Sequence, residues 1–433
     1  MEKKYVIFGA GHRGEIIAHI LGSKRVVAFI DSKEEKIGKI FCGKPVISFQ
    51  EYKEKYSGNI VIVSPVMGDS IERLLQKEKI FYFPLDECPA EFMGYGLKKV
   101  DSEGISIHFD LSKKMMLYGC TLYSVLVYEY LRKKGVQDIS LIPHRYMDDD
   151  RIQLFSFYYP DIKLYRGKYA DRENTNILIT VYDEDINSEN KRNNQMDIFN
   201  WGRYVDSYKN IGIERFKNIH KGERCFIVAT GPSLKFEDLN KLHESGEICF
   251  SMNSIVDLLP LTKWKPDYYA VLDAIGLDLW EEKIRTIDCK ASFIADSSIK
   301  FNYDDLPSYA YIYHVLTGKE VYRGEYFSDR CSEYIYNKGT ITYICMQLAL
   351  YMGFQKVYLL GVDFNYKPEK GNYFFDKNEY VMTQEYIQTS DYYVERAYKT
   401  AKKYADRHGV KIYNATRGGN LEVFERVDFD TLF

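Results

Sequence analysis

Short apolar runs alternate with amphipathic stretches along most of the chain, and glycines or polar turns separate them. "KKYVIFGAGHRGEIIAHIL" reads as a buried strand, a glycine-rich turn and a helix. "RVVAFID", "NIVIVSPV" and "KIFYFP" read as further strands of one parallel sheet, because buried parallel strands are apolar throughout rather than alternating. In the middle, "MLYGCTLYSVLVYEYLRKKG" reads as a helix closed by Gly135, and "DISLIPH" and "NILITVYDED" as strands. From Gly222 onward the rhythm is regular. "RCFIVATGPSL", "EICFSMNSIVDLL", "PDYYAVLDA", "KVYLLGVDFNY" and "VKIYNATRGG" are strands with polar ends. "FEDLNKLHESG", "TITYICMQLALYMG" and "EYIQTSDYYVERAYKTAKKYADRHG" are helices. Strands alternating with helices predict an α/β fold with doubly wound sheets.

The 433 residues fit two or three domains. Residues 1–95 form a Rossmann-like nucleotide-binding domain in this reading. Residues 96–210 form a second α/β segment ending in the polar linker "NSENKRNN", and residues 211–433 a doubly wound catalytic domain. Lys and Arg number 59 against 62 Asp and Glu, and no basic tract gathers them, which gives no case for nucleic acid. The 39 tyrosines fit sugar or nucleotide surfaces, and they fit compositional bias better. The opening "MEKKYVIFGAG" lacks the cleavage-like site of a signal peptide. No window reaches the ~20 apolar residues of a membrane span. The eight cysteines lack CxxC pairs, so buried, reduced thiols are expected. A cytoplasmic chain is expected, with peripheral membrane attachment and homo-oligomer formation left open.

Two places carry candidate chemistry. Near the N-terminus, Gly9, Gly11 and Gly14 match GxGxxG between a strand and a helix, and Asp31 ends the next strand. Such glycines serve a tight turn, backbone approach to a phosphate and close helix packing, and such an acid holds ribose hydroxyls. The pattern "FGAGHRGE…VVAFIDS…GKPVISFQEY" resembles the small nucleotide-binding domains that precede bacterial sugar-modifying enzymes. That implies a nucleotide or nucleotide-sugar ligand. Two acidic runs, Asp148–Asp150 and Asp183–Asp185, have the composition of cation sites. Acids in succession are more often solvated loops, and no metal is assigned.

The second place is the polar strand ends of the C-terminal half: Thr230, Gly231, Pro232 and Ser233; Asn253 and Ser254; Asp273; Asp363 and Asn365. Ligands of doubly wound sheets lie beyond these carboxyl ends. Gly231 permits a close approach, Pro232 is suited to open a helix, and free helix N–H groups would then face a phosphate.

The ordered motifs "ATGPSLKFEDLNKL", "FSMNSIVDL", "GTITYICMQLALYMGFQKVYLLGVDFNYKPEKGNYFFD" and "KIYNATRGGNLEVFERVDF" resemble bacterial lipooligosaccharide sialyltransferases. They also resemble the related DUF115 group, which includes the motility accessory factors that glycosylate flagellin. The resemblance covers about residues 215–430 and implies a GT-A-like catalytic domain. It places a cytidine nucleotide against Gly231, Pro232, Ser233 and Asn253, with Thr230 where the sialyltransferases have asparagine. It assigns Gly339 and Thr340 to the sugar site, and Tyr373 with Asn365 or Tyr366 to the donor phosphate. The family's general base is a histidine, and the aligned residue here is Thr389, which cannot take a proton at neutral pH. Asp273, Asp391 and Glu385 are substitutes, and His314 and His408 further candidates.

These readings together imply an inverting, metal-independent glycosyltransferase. Its donor would be a CMP-linked nonulosonic acid and its acceptor a cell-surface glycan or protein, with no cofactor beyond the nucleotide sugar. Two rivals stand beside it. One is a DUF115-type diphosphokinase moving a diphosphate from ATP to a pterin-like alcohol with magnesium, to which Asp273 and Asp363 would contribute ligands. The other is a non-catalytic nucleotide-sugar-binding protein.

Overall fold

The structure is a computed structural model and describes residues 3–65, 68–85, 110, 112–144, 147–165, 175–181, 195–197, 211–298, 301–317, 319–367 and 384–433. The chain divides into two compact units, Met1–Tyr204 and Val205–Phe433.

The first unit holds two sheets. One comprises β1 (Tyr5–Phe8), β2 (Val26–Ile30), β3 (Ile40–Phe41), β4 (Lys44–Ile47), β5 (Ile60–Val63) and β6 (Tyr82–Pro84), in the order β3-β4-β2-β1-β5-β6. All its pairings are parallel except the β3–β4 hairpin. The other comprises β7 (Lys114–Tyr118), β8 (Ile139–Ile142), β9 (Lys163–Leu164), β10 (Thr175–Ile179) and β11 (Gln195–Asp197), in the order β11-β10-β7-β8-β9 and wholly parallel. The two sheets meet through buried aromatics, with Phe81 and Phe83 edge-on to Phe155. The Arg25 guanidinium clasps both carboxylate oxygens of Glu129 at 2.8 and 3.0 Å.

The expected helix over "MLYGCTLYSVLVYEYLRKKG" is in fact a strand, a turn and a helix. β7 ends at Tyr118, Gly119 takes φ +123°, and the helix begins only at Leu122. The apolar run on each side disguises the change, and a left-handed glycine is what breaks it. The result repeats the turn of the first sheet. Ser64, following β5, donates its hydroxyl to Phe8 O at 2.9 Å, while Thr180, following β10, donates to Tyr118 O at 2.8 Å. A side chain on Gly9 would begin 2.4 Å from Ser64 Oγ, and one on Gly119 would begin 2.9 Å from Thr180 Oγ1.

The two turns then diverge. After Gly9 comes Gly11, with no atom within 4 Å of where its side chain would start. Two residues after Gly119 comes Thr121, which forms a reciprocal capping box with Ser124. Ser124 Oγ lies 2.6 Å from Thr180 Oγ1, and Thr121 Oγ1 donates to Thr180 O at 3.1 Å. All three residues are buried. Where the first sheet leaves open space, the second is filled by its own hydroxyls.

The second unit is built on an eight-stranded parallel sheet, β16-β15-β14-β13-β12-β19-β20-β21. Its strands are β12 (Arg224–Val228), β13 (Cys249–Met252), β14 (Tyr268–Val271), β15 (Ala291–Ala295), β16 (Ala310–Tyr313), β19 (Lys356–Leu360), β20 (Lys411–Asn414) and β21 (Glu425–Arg426). A short parallel pair, β17 (Val315–Leu316) and β18 (Ile335–Tyr336), stands apart. The sequence pattern leaves 275–338 unassigned, yet β15 and β16 lie there, five- and four-residue runs buried at every position. The helix Ile341–Tyr351 is buried at ten of its eleven positions and packs across β12, β13 and β14. Strand order reverses between β12 and β19, which makes the fold doubly wound.

Among the described cysteines none is in a disulfide. Cys42 is exposed and Cys289 half-buried, against the expectation that all would be core thiols. No described helix is long and apolar enough to cross a membrane.

The two motif glycines of the first turn predict opposite outcomes. A Cβ on Gly14 would sit 2.2 Å from Gly9 O, whereas Gly11 has space. Gly14→Ala should cost about 1–3 kcal/mol by overpacking. Gly11→Ala should stay within ~0.5 kcal/mol of the parent. Chemical denaturation of both variants checks this.

Candidate functional site

In a parallel sheet the loops after the strands gather at one edge. Here that edge collects Thr230–Ser233 after β12, Asn253 and Ser254 after β13, Asp273 after β14, and Asp363–Tyr366 after β19. The amino ends of the following helices lie at the same edge.

The loop after β12 is tied across the reversal point. Ser233 Oγ donates to Asp363 Oδ2 at 2.9 Å and Ser233 N to the same oxygen at 3.3 Å. A Cβ on Gly231 would fall 2.0 Å from that oxygen, so only glycine fits. Burial raises the Asp363 pKa, and the bonds from Ser233 offset part of that rise. The helix does not open at Pro232 as expected: Pro232 and Ser233 form a turn, and the helix is Phe236–Glu244. N–H groups of that turn are spent on the protein itself. Gly231 N donates to Gly361 O at 2.9 Å and Leu234 N to Gly231 O at 3.1 Å.

Asn253 takes a left-handed backbone conformation, φ +44°, which asparagine tolerates better than most residues other than glycine. Its Oδ1 is buried and takes no hydrogen bond among the described residues. The backbone around it is fixed: Tyr269 Oη donates to Asn253 O at 3.0 Å, and Asn253 N to Ala270 O at 3.1 Å. Ser254 Oγ reaches Thr230 Oγ1 at 3.4 Å and joins the β12 and β13 loops. Phe364, directly after Asp363, is also left-handed at φ +49°. Strained residues persist where surrounding structure over-determines them, and they cluster at ligand sites.

Asp273 is exposed and caps the helix Ala274–Leu279, accepting from Gly276 N at 2.8 Å. Thr340 caps the helix Ile341–Tyr351, and Gly339 precedes it exposed. Thr342, in the first turn, touches Met252 Sδ at 3.6 Å, which brings that helix beside the Asn253 strand tip.

The long helix Gln384–Arg407 lies along the same place. Tyr398 is hydrogen-bonded to Thr340 and Thr342. A Cβ on Gly339 would lie 3.7 Å from Val394 Cγ2. Asp391, Val394 and Tyr398 share one helix face at i, i+3 and i+7. Asp391 therefore continues this contact line one turn toward the helix's amino end. Its Oδ1 is buried without a hydrogen-bond partner among the described residues, and desolvation raises its pKa. Thr389 and Glu385 are on the same helix, but their side chains lie outside the described residues, as do Tyr373 and Asp183–Asp185. Asn365 and Tyr366 are in the irregular segment after β19.

His408 is exposed at the far end of the long helix, stacked on Tyr404, and is away from the site edge. His314 is buried, with Nδ1 2.5 Å from Asp296 Oδ2, at the carboxyl ends of β16 and β15. Asp148 caps the helix Asp149–Tyr158, with Asp149 and Asp150 in its first turn, which accounts for that acidic run without a cation. Among the described residues no three His, Cys, Asp or Glu side chains form a metal-ligating group.

Sequence reasoning missed Lys338. It is fully buried immediately before Gly339 and donates to Gly324 O. Burial, and then the charge of Arg396, bring its pKa down to about 8. Its only signal was a lysine among the apolar positions of "EYIYNKGTITYI", which reads as a loop.

At the N-terminal turn, Asp31 serves the protein itself. It accepts from Ala10 N and Lys33 N, each at 3.0 Å, and from Lys36 Nζ at 3.1 Å. Burial works against ionisation, but these bonds prevail and lower its pKa.

Residues 203–369 match the family described as 6-hydroxymethylpterin diphosphokinase MptE-like, which upholds the DUF115 resemblance over that stretch. Residues 1–81 match the family described as C2185-like, N-terminal. No curated protein matches the chain. Among solved structures, a MAf glycosyltransferase from Magnetospirillum magneticum AMB-1 aligns at 15% identity and a TM-score of 0.35, over 86% of this chain and 68% of that one. A likeness that weak adds nothing to the fold read from the strands themselves.

Asp391 should be costly to stability. Its pKa is raised in the folded state, so its favourable contribution is present below the unfolded value and is lost as pH rises through the folded one. Asp391→Asn should therefore melt at a higher temperature than the parent at pH 7, and the gap should close near pH 4. Thermal unfolding at both pH values checks this.

Proposed function

We propose that the C-terminal unit is a glycosyltransferase that binds a nucleotide-activated sugar along this strand edge. In this reading the donor is a CMP-linked nonulosonic acid, and the acceptor is a cell-surface glycan or glycoprotein. The observation that carries the nucleotide site is Asn253, a left-handed residue whose buried Oδ1 has no donor among the described residues. The 4-amino group of a cytosine or a ribose hydroxyl would supply one. The DUF115 resemblance supports a transferase, and Asp391 supplies the base that Thr389 cannot. Asp391 takes the proton of the acceptor hydroxyl as its oxygen attacks the anomeric carbon. The bond to the phosphate oxygen breaks, the electron pair leaves with CMP, and the anomeric configuration inverts. Tyr366, Tyr373 and the amino end of the helix Ile341–Tyr351 would meet the phosphate charge.

The description of the matched family favours a second reading, diphosphoryl transfer from ATP to a pterin-like alcohol. That chemistry needs carboxylates for magnesium. Asp363 is engaged by Ser233 and Asp273 by Gly276 N, which favours the sugar reading. The first unit would hold a nucleotide or nucleotide sugar over Gly11. The reaction would run in the cytoplasm, with the acceptor at the inner face of the membrane.

Thermal shift with CMP, UDP, GDP, ADP and ATP, each with and without magnesium, tests the reading. A ligand bound only by the folded state raises the melting temperature. CMP alone should stabilise the chain, and Asn253→Ala should abolish that shift. Stabilisation by ATP only with magnesium would select the diphosphokinase. Under the sugar reading, turnover should fall as pH drops through the raised Asp391 pKa, and Asp391→Asn should lose most of the rate.

A further inference from the structure

Gly339 is exposed, and a row of tyrosines runs outward from it. A Cβ on Gly339 would lie 3.3 Å from Tyr322 Cε1. The Tyr322 ring stands edge-on to Tyr393 at 5.6 Å between centroids, and Tyr393 stands edge-on to Tyr392 at 5.1 Å. Tyr322 comes from the short helix Lys319–Arg323, and the other two come from the long helix Gln384–Arg407. Tyr392 follows Asp391 directly in the chain and is 54% exposed. Its phenol is nonetheless held: Arg396 Nη1 donates to Tyr392 Oη at 3.1 Å, and the guanidinium lies 5.6 Å from the ring centroid. A side chain fixed at one end and open at another loses little freedom when it gains a partner.

The geometry of the reaction says what that partner is. An inverting displacement brings the acceptor oxygen to the anomeric carbon from the face opposite the leaving group. The base must stand within hydrogen-bond reach of the attacking hydroxyl. With Asp391 as that base, the acceptor must lie against surface that flanks Asp391, and Gly339 with this row is such surface. The nucleotide has its own place at the Asn253 strand tip, which the helix Ile341–Tyr351 meets through Thr342.

The row offers aromatic rings and hydroxyls. The two cations beside it are already engaged, Arg396 with Tyr392 Oη and Arg323 O, and Lys338 with Gly324 O. This favours a neutral sugar over an acidic one. The C–H edges of a pyranose pack on aromatic rings, and its hydroxyls can meet the phenols.

We propose that Tyr322, Tyr393 and Tyr392 form the acceptor platform, and that the acceptor presents a neutral pyranose there. This rests on the glycosyltransferase reading above, with Asp391 as the base.

Saturation-transfer NMR on the full chain tests this, with and without CMP. The probes are the methyl glycosides of galactose, glucose, mannose and N-acetylglucosamine, and a peptide rich in serine and threonine. At least one glycoside should receive saturation on its ring protons. Tyr392→Ala should weaken that glycoside about tenfold. Tyr392→Phe keeps the ring and should stay within about twofold of the parent. CMP should raise the melting temperature of Tyr392→Ala as much as that of the parent, which shows the variant folded and the donor site intact. A glycoside held equally well by the parent, Tyr392→Ala and Tyr393→Ala would overturn the platform. So would saturation of the peptide and of no glycoside, or of no probe at all. Loss of the CMP shift along with the glycoside would overturn it too, because the row would then not be separate from the donor site. If CMP shifts neither protein while a glycoside is lost in Tyr392→Ala and kept in Tyr392→Phe, the donor assignment fails and the platform stands.

Discussion

The contact between Asp363 and the Gly231–Ser233 turn holds the second unit's site edge in place. Two central strands leave the sheet in opposite directions there, and their loops must pass each other closely. Gly231 yields the space, with its missing Cβ 2.0 Å from the carboxylate, and Ser233 returns two hydrogen bonds. Burying a carboxylate is costly unless donors meet it. The raised pKa of Asp363 shows that two donors meet it only in part.

The first unit meets the same geometric constraint with a different residue. Ser64 and Thr180 lie where Asp363 does, each following the strand beside a glycine turn. A hydroxyl needs no counter-charge, so those turns close at little electrostatic cost. The difference between the two sheets then comes from the residues after the glycine. Gly11 leaves space over the turn, and Thr121 with Ser124 fills it. One architecture therefore gives an open turn, a filled one and a charged one, according to a few side chains at the same point.

Much of this was legible in the sequence. The strands from β12 to β14, and β19 and β20, stand out because their apolar runs end in polar residues. The helices Phe236–Glu244 and Ile341–Tyr351 announce themselves by period and by closing glycines. β15 and β16 were not legible, because ASFIA and AYIY are short runs in which alanine and serine dilute the apolar signal. β7 was hidden because its apolar run flows into that of the next helix without a polar break. At the site, Asn253 and Asp363 could be named from their places at strand ends. Their states could not. The carboxylate shared with Ser233 depends on a contact across 130 positions, and the backbone of Asn253 is fixed by the neighbouring strand β14 and not by its own chain segment.

Lys338 and Asp391 show where such long-range effects bear on chemistry. Both are ionisable groups beside the Gly339–Thr340 turn, and burial moves each toward its neutral form. Neither is paired with the other among the described contacts. Lys338 is spent on Gly324 O, the carbonyl after the short helix Lys319–Arg323, and Arg396 donates to Arg323 O at 2.6 Å. Two cations thus satisfy carbonyls at a helix end, where the backbone's partial negative charge favours them. Among the described contacts no cation offsets the burial of Asp391, and desolvation raises its pKa. Were Lys338 to turn from the carbonyl to Asp391, the ion pair would lower the pKa of the acid and remove its basicity. The carbonyl of Gly324, by holding the Lys338 ammonium, keeps that charge off the carboxylate.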